Sequence, residues 1–537
     1  LNLHKAAKVI EYVRSLGVVD FCLCAGARNS PFITLLDENR HYLESTGHLY
    51  HFFEERSASF FALGRAQQTQ RPVAVITTSG TAATELISAA VEAFYTKTPI
   101  IFLTADRPPS YRQTGAPQSI EQIGIFTHYA APTVDIVDDL NVLEKLEWSH
   151  QLPLHLNVCF AEPLLQGEIP KLEEGRWATA KSLRDSDLDL DSHSGSLFEL
   201  KPEAVAFLSQ CKQPLFIVSG LQPNERAFVC NLLKYLKGPW WIESLSGLRG
   251  HPDLESGRIK SSERWIQQLM ADRVFDGVIR IGSVPTTRVW RDLEERFTLP
   301  VLSLTNGSWS GLARSSAVAP LTALSNLCQH FTDKPHGLSD SHQDADLKIS
   351  AQILWAMKRF PQSQLSLVHH LSQLVGEQPL YLGNSLPVRE WDWVAAANLP
   401  NAISGNRGAN GIDGQLSTFF GWKPQNTHSW ALLGDLTTLY DLSAPWVVPQ
   451  LNGATWTLAI MNNAGGHIFK PMFGREAFLN RHQLNFKGWA EMWNLSYQCL
   501  ESLDHGLNTP PQILELRPCE IQSQLLREEI NGLWTKN

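Results

Sequence analysis

The stretch HSWALLGDLTTLYDLSAPWVVPQLNGATWTLAIMNNAGG, residues 428–466, decides the fold. HSWALLGD and TWTLAIMNN are short apolar runs, and LTTLYDLSAPWVVPQL between them suits a helix-containing crossover. A βαβ unit takes about 30 residues and returns its second strand parallel to the first. Two neighbouring parallel strands are therefore predicted, and ligands bind outside the carboxyl ends of such strands. At those ends stand Gly434-Asp435-Leu436 and Asn462-Asn463-Ala464-Gly465-Gly466. One carboxylate, one amide oxygen and one backbone carbonyl make a protein share of an octahedral oxygen shell for Mg²⁺, with places left for phosphate and water.

The same alternation runs through the rest of the chain. VVDFCLCAG, PVAVITTSG, PIIFLTAD and LPLHLNVCF read as strands, with helical segments such as EERSASFFALGRAQQ and TAATELISAAVEAFYTK between them. A second block offers PLFIVSG, GPWWIES, FDGVIRIGS and LPVLSLT, and a third YLGNS, AISGNRG, WALLGD, TLAIMNN and ILELRP. Short β-branched runs followed by amphipathic segments predict an α/β chain of three doubly wound parallel-sheet domains. The expected domains are 1–180, 198–340 and 350–537. Polar linkers are expected over about 166–197 and along TDKPHGLSDSHQDADLK (332–348).

Composition narrows the function classes. With 537 residues, 43% hydrophobic and 18% charged, this is an ordinary globular chain. No apolar run reaches the roughly 18 residues that cross a bilayer, and the amphipathic start LNLHKAAKVIEYV is unlike a signal peptide, so a cytoplasmic protein without membrane partners is expected. A net charge of -9 argues against nucleic-acid binding, which needs a basic face. Anionic substrates would need positive charge concentrated locally. The eight cysteines show no zinc spacing, and Cys22 and Cys24 are expected as buried thiols.

The acidic GD motif followed after this interval by NN and glycine resembles the signature of thiamine-diphosphate enzymes. Together with TSGTA (78–82), LTADRPP (103–109), GNSLPVR (383–389) and GNRGANGIDG (405–414), it resembles the MenD family within them, collinearly from about residue 20 to about 475. The leucine after Asp435 departs from the more general glycine and narrows the match to that family. The resemblance implies a pyrimidine-binding (PYR) domain, a central domain and a diphosphate-binding (PP) domain. It implies thiamine diphosphate and Mg²⁺, or Mn²⁺, as cofactors, with Asp435, the Asn463 side chain and the Gly465 carbonyl as metal ligands.

Further residues follow from the resemblance. Glu55 would be the catalytic carboxylate against the pyrimidine ring, with Glu54 a surface acid. Thr78, Ser79, Gly80, Ser385, Leu386, Gly434 and Leu436 would bind cofactor, and Ile412 would wedge its two rings apart. The implied substrates are 2-oxoglutarate and isochorismate, both dicarboxylates, and arginine suits carboxylates because its planar fork binds them bidentately. Arg28, Arg107, Arg389, Arg407 and Arg288 are the candidates, with Gln118, Ile468 and Phe469 also touching substrate. Ala27, Pro117 and the single Arg288 depart from the family pattern and bear on the isochorismate contacts. His467 reads as a polar residue at a helix start.

The implied reaction is decarboxylation of 2-oxoglutarate and addition of the succinyl carbanion to isochorismate, on the way to menaquinone or phylloquinone. The active sites would lie at the chain interface of a homodimer or dimer of dimers. Two alternatives stand beside it. Another thiamine-diphosphate enzyme, a 2-oxo acid decarboxylase or acetolactate synthase, would need fewer arginines. A non-catalytic assembly or regulatory subunit would not need Glu55, Asp435 and Asn463 together.

Overall fold

The structure is a computed structural model that describes all residues except 173–199, 237, 308, 333–336, 397–399, 401, 452, 454, 504–506, 508 and 535–537. Three sheets form, and every strand pair in them is parallel. The first contains β1 (Asp20–Cys24), β2 (His48–Phe52), β3 (Val73–Thr77), β4 (Ile100–Asp106), β5 (Thr133–Ile136) and β6 (Leu154–Cys159), in the order 2-1-3-4-6-5. The second has β7 (Pro214–Val218), β8 (Trp240–Ile242), β9 (Gly277–Ile281), β10 (Val301–Leu304) and β11 (Ala317–Ala319), in the order 11-10-9-7-8. The third has β12 (Leu380–Leu382), β13 (Ile403–Ser404), β14 (Ser429–Gly434), β15 (Trp456–Met461), β16 (Tyr497–Leu500) and β17 (Ile513–Leu516), in the order 13-12-14-15-17-16. The predicted three-sheet α/β architecture is thus observed.

The central strands are buried on both faces, as in VAVIT of β3 and IIFLTAD of β4, because helices cover both sides of a parallel sheet. The opening segment folds as read. β14 and β15 pair in parallel with Gly434 opposite Met461, joined by the helix Asp435–Tyr440 and the 3-10 turn Ala444–Gln450. Among the described residues, thirteen of the seventeen strands coincide with a predicted run, and the four others, β2, β5, β11 and β16, all lie at sheet edges.

The chain divides into two compact units. One comprises Leu1–Asp187, Asn406–Asn426 and Leu436–Ala454, and the other Leu188–Gly405, Thr427–Asp435 and Thr455–Asn537. The first sheet lies in the first unit, and the second and third sheets in the second. Within the first unit the helix Gln415–Trp422 packs against the helix Glu55–Thr69 backbone to backbone. A Cβ on Gly64 would fall 2.0 Å from the Thr418 carbonyl oxygen, and one on Gly421 2.1 Å from that of Phe61, so glycine is required at both.

Most of the linker expected over 166–197 lies outside the described residues. The polar stretch 332–348 is not a plain linker. Ser339 caps a helix there, Asp340–Arg359, whose Ile349, Ile353, Ala356 and Met357 enter the core. The hydrophilic exposed face of that helix hid its period. All eight cysteines are free, and Cys22 and Cys24 are buried as expected. Among the described residues no helix is long and apolar enough to cross a membrane.

Candidate active site

In the first unit, the helix Glu55–Thr69 begins on the pair Glu54-Glu55. Glu54 is its N-cap, accepting from the backbone N–H groups of Arg56 at 2.9 Å and Ser57 at 3.0 Å and from the hydroxyls of Ser57 and Ser443. The bland surface role expected for Glu54 is therefore replaced by a capping one: extended backbone at this position aims its carboxylate at the orphan donors of the first turn. Glu55 is half-buried, and burial, with the like charges of Glu54 and Glu85 nearby, pushes its carboxyl above the ordinary value.

Thr78 and Ser79 follow β3 and are buried, and Gly80 (φ +89°) turns the chain into the single helical turn Thr81–Thr84. The N–H of Gly80 is taken by Gln122 Oε1 at 3.0 Å, so this strand end is not an open row of donors. A Cβ on Gly80 would lie 3.3 Å from the Gln118 backbone, and the Arg28 N–H donates to Thr78 Oγ1 at 3.3 Å. The Arg28 guanidinium donates to the Phe160 carbonyl at 2.9 Å and lies 3.2 Å from Glu162. Arg107 follows β4, donates to the Pro117 carbonyl at 3.1 Å and sits over the Tyr111 ring. Thr78, Gly80, Arg28, Arg107 and Gln118 thus come together around the carboxyl ends of β3 and β4.

Residues that the motifs do not mark support the candidates of this unit. Gln122 donates to Asn157 Oδ1 at 2.8 Å, and Asn157 donates to Asp106 Oδ2 at 3.1 Å, which links Gly80 to the Arg107 turn. Glu92, buried on the helix Ile87–Thr96, accepts from the N–H groups of Gly408 and Ala409 at 2.7 Å each. It clamps the loop that carries Arg407 and the half-buried Ile412. A buried acid inside the apolar run ISAAVEAFYT was the available signal.

In the second unit, Ser385 has φ +72° and caps the helix Leu386–Val394, on which Arg389 donates back to the Ser385 carbonyl at 2.6 Å. Strained non-glycine backbone recurs at Gln118 (φ +55°) and Ala464 (φ +64°), beside other candidate residues. Asp435 is 3% exposed at the end of β14, and its Oδ2 accepts the Gly465 N–H at 2.9 Å. His482 Nε2 stands 3.2 Å from the same oxygen. Asn463 donates its Nδ2 to Gln364 at 3.0 Å, while its Oδ1 is buried with no hydrogen-bond partner. The neighbouring Asn462 is occupied by Glu515, Leu484 and the Ala464 N–H.

These donors fit a hard divalent cation. A buried carboxylate and an orphaned amide oxygen are the ligand types Mg²⁺ and Mn²⁺ take, and an amide oxygen without a partner is costly unless something occupies it. The Gly465 carbonyl accepts the His467 N–H at 2.9 Å and retains a second lone pair. His467 opens the 3-10 turn His467–Phe469, as expected, and burial lowers its pKa. Ile468 is half-buried and Phe469 exposed, next to Phe473.

The candidate residues divide between the units. Glu55, Arg28, Thr78, Ser79, Gly80, Arg107, Gln118, Arg407, Ile412 and Leu436 belong to the first, and Ser385, Leu386, Arg389, Gly434, Asp435, Asn463, Gly465, Ile468 and Phe469 to the second. Arg288, also in the second, opens the helix Arg288–Asp292 at the surface and pairs with Asp292 at 3.1 Å. No described contact joins it to the other candidates.

Residues 4–125 match the thiamine pyrophosphate enzyme, N-terminal TPP binding domain. A 2-succinyl-5-enolpyruvyl-6-hydroxy-3-cyclohexene-1-carboxylate synthase of Bdellovibrio bacteriovorus is 42% identical over 99% of both chains. The enzyme of the same name from Akkermansia muciniphila is 34% identical over 95% of both, and that of Geobacillus thermodenitrificans 28% identical over 87% of this chain and 83% of its own. With identity of this level running the full length of both proteins, and a thiamine-binding domain at the amino end, the chain belongs to the 2-succinyl-5-enolpyruvyl-6-hydroxy-3-cyclohexene-1-carboxylate synthase family.

Proposed function

We propose that the chain decarboxylates 2-oxoglutarate and adds the resulting succinyl group to isochorismate, giving the cyclohexene carboxylate after which its relatives are named, CO₂ being released. When bound, thiamine diphosphate would supply the nucleophilic carbon for attachment of the 2-oxo acid and the electron sink for its decarboxylation, which leaves the former keto carbon as the nucleophile toward isochorismate. The observation that carries the reading is the buried pair of Asp435 and the orphaned Asn463 oxygen at adjacent strand ends. Asp435, Asn463 and the Gly465 carbonyl would hold Mg²⁺ or Mn²⁺, and with it the cofactor's diphosphate. Gly434, Leu436, Ser385 and Leu386 would flank that end, and Thr78, Ser79 and Gly80 the other.

Glu55 would bond the pyrimidine ring. Its raised pKa suits a carboxyl that holds a proton at a ring nitrogen, while Glu54 is engaged in capping. Arg28, Arg107, Arg389 and Arg407 would fix substrate carboxylates, which a chain of net charge -9 needs at this place. Gln118, Ile468 and Phe469 would border the substrates, and Ile412 the cofactor. Arg288 would contribute only by exchanging Asp292 for a substrate carboxylate. The PYR (1–180), central (198–340) and PP (350–537) domains would assemble as a homodimer or dimer of dimers. Each site would take Glu55 from one chain and Asp435 from another.

The test is incubation with thiamine diphosphate, Mg²⁺, 2-oxoglutarate and isochorismate, with products read by mass spectrometry. The adduct is expected. Succinic semialdehyde alone, whether or not isochorismate is present, would make the protein a 2-oxo acid decarboxylase instead.

A further inference from the structure

Gln364 opens the helix Gln364–Val375 and is 3% exposed. Its backbone N–H donates to Ser523 Oγ at 3.0 Å, and the preceding Gln362 is bonded to Gln522 and Cys519, so the C-terminal helix Glu520–Gly532 fixes where it sits. Its side-chain amide lies between two partners. Oε1 accepts from Asn463 Nδ2 at 3.0 Å, and Nε2 donates to Glu390 Oε2 at 2.7 Å. Glu390 is 4% exposed on the helix Leu386–Val394, and its other oxygen lies 3.9 Å from the Arg527 guanidinium.

Each side-chain amide has one accepting end and one donating end, whereas an ionised carboxylate only accepts. Glu390 therefore selects the NH₂ end of Gln364. That turns the Gln364 carbonyl toward Asn463, selects the NH₂ end of Asn463 in turn, and leaves Asn463 Oδ1 as the atom without a protein partner. Reversing one member would reverse the others and present an NH₂ group where a cation needs an oxygen. Burial pushes the Glu390 carboxyl up to about 7 against the opposing Arg527 charge and Gln364 bond, so the accept-only form that imposes the orientation is fully present only above that pH.

We propose that Glu390 and Gln364 are positioning residues for the metal site, a carboxylate–amide–amide relay that aims the carbonyl oxygen of Asn463 at the bound divalent cation. The inference rests on the reading of Asn463 as a ligand. Outer partners of metal ligands orient them in this way, and their loss typically weakens metal binding roughly ten- to hundredfold.

The experiment measures Mn²⁺ binding to the full chain saturated with thiamine diphosphate, following free Mn²⁺ by electron paramagnetic resonance, in the wild type and in Glu390→Gln, Gln364→Leu and Asn463→Ala. Circular dichroism and the unfolding midpoint of each apoprotein establish folding. Glu390→Gln is nearly isosteric and offers either end to Gln364, so the orientation is no longer imposed. The Mn²⁺ dissociation constant is expected to rise about tenfold or more in Glu390→Gln and in Gln364→Leu. A merely structural role would move the unfolding midpoint and leave that constant alone. Should Gln364→Leu not fold, Glu390→Gln decides. If Asn463→Ala loses Mn²⁺ while folded Glu390→Gln binds within twofold of wild type, the relay is wrong and the metal site stands. If Asn463→Ala binds Mn²⁺ normally, the metal reading falls and the relay with it.

Discussion

Glu54 closes the helix that Glu55 begins: its carboxylate accepts the N–H groups of Arg56 and Ser57, while the Glu55 carboxyl is raised by burial and like charge. Adjacent residues of one type should therefore fail differently. Glu55→Gln should keep the fold and cofactor yet lose most turnover, because an amide does not hold a proton at the pyrimidine ring as a carboxyl does. Glu54→Ala should cost about 1 kcal/mol of stability, the usual loss for a helix cap, and leave turnover per folded molecule largely intact. Exchange of the cofactor's C2 proton, followed by NMR, separates them. A wild-type exchange rate in Glu55→Gln would move the assignment elsewhere.

Asp435→Asn should weaken metal and cofactor binding together, since it removes the one anionic ligand from a shared site. The Gly465 N–H bond to Oδ2 can survive the change, because an amide oxygen also accepts, so the loop is expected to keep its course. Calorimetric titration with thiamine diphosphate at fixed Mg²⁺ reads the loss. Unchanged affinity would place the metal away from Asp435.

The motif loops were legible because strand ends announce themselves: an apolar run stops at Gly, Ser or Asp, as at Thr77-Thr78-Ser79-Gly80 and Gly434-Asp435. The edge strands were not. β16 alternates poorly and exposes Gln498 and Cys499, and β2 carries His48 and His51, so neither shows the continuous apolar signature of a strand covered on both faces. Supporting residues were hidden for another reason. Gln122 and Gln364 reach candidate residues from other elements, and nothing in local spacing marks a side chain whose partner lies far along the chain. Buried acids within apolar helical runs, Glu92 in ISAAVEAFYT and Glu390 in LPVREWDWV, are the exception.

Arg107→Ala and Arg407→Ala should each lower kcat/KM for at least one dicarboxylate by about 1.5 to 3 kcal/mol, the size of a lost charged hydrogen bond. Steady-state kinetics with each substrate varied in turn assign each arginine to its partner. Arg288→Ala should have a smaller effect, because its exposed pair with Asp292 is already screened by solvent. Wild-type constants for both Arg107→Ala and Arg407→Ala would favour a simple decarboxylase.

Glu243 and Asp392 are buried against one hydroxyl. Thr286 Oγ1 lies 2.7 Å from Glu243 Oε1 and 3.1 Å from Asp392 Oδ2, and its single proton serves only one of them. Ser219, Ser244 and the N–H groups of Thr286 and Thr287 supply the other donors, and Arg249 the nearby charge. Burial and the neighbouring Asp392 raise the Glu243 carboxyl from about 4.5 to about 7. A raised acid binds more protons folded than unfolded, so its contribution is present in full below about pH 4.5 and lost as pH rises through about 7. Glu243→Gln should flatten the fall in unfolding free energy across that window. Denaturant titrations at pH 5, 6 and 7.5 check it, and an unaltered slope would mean that Glu243 is not the group titrating in that window.

The division of the candidate residues between compact units makes assembly testable. If each site takes Glu55 from one chain and Asp435 from its two-fold partner, a dimer holds two equivalent sites. Glu55→Gln and Asp435→Asn chains, each inactive alone, can then rescue one another. In a mixed dimer one site collects both substitutions and the other neither. Random pairing makes about half of the dimers mixed, so roughly a quarter of sites, and of activity, should return on co-expression. Native mass spectrometry establishes that mixed dimers formed. If they form and no activity returns, Glu55 and Asp435 serve the same site from a single chain, and the interface assignment is lost while the residue roles remain.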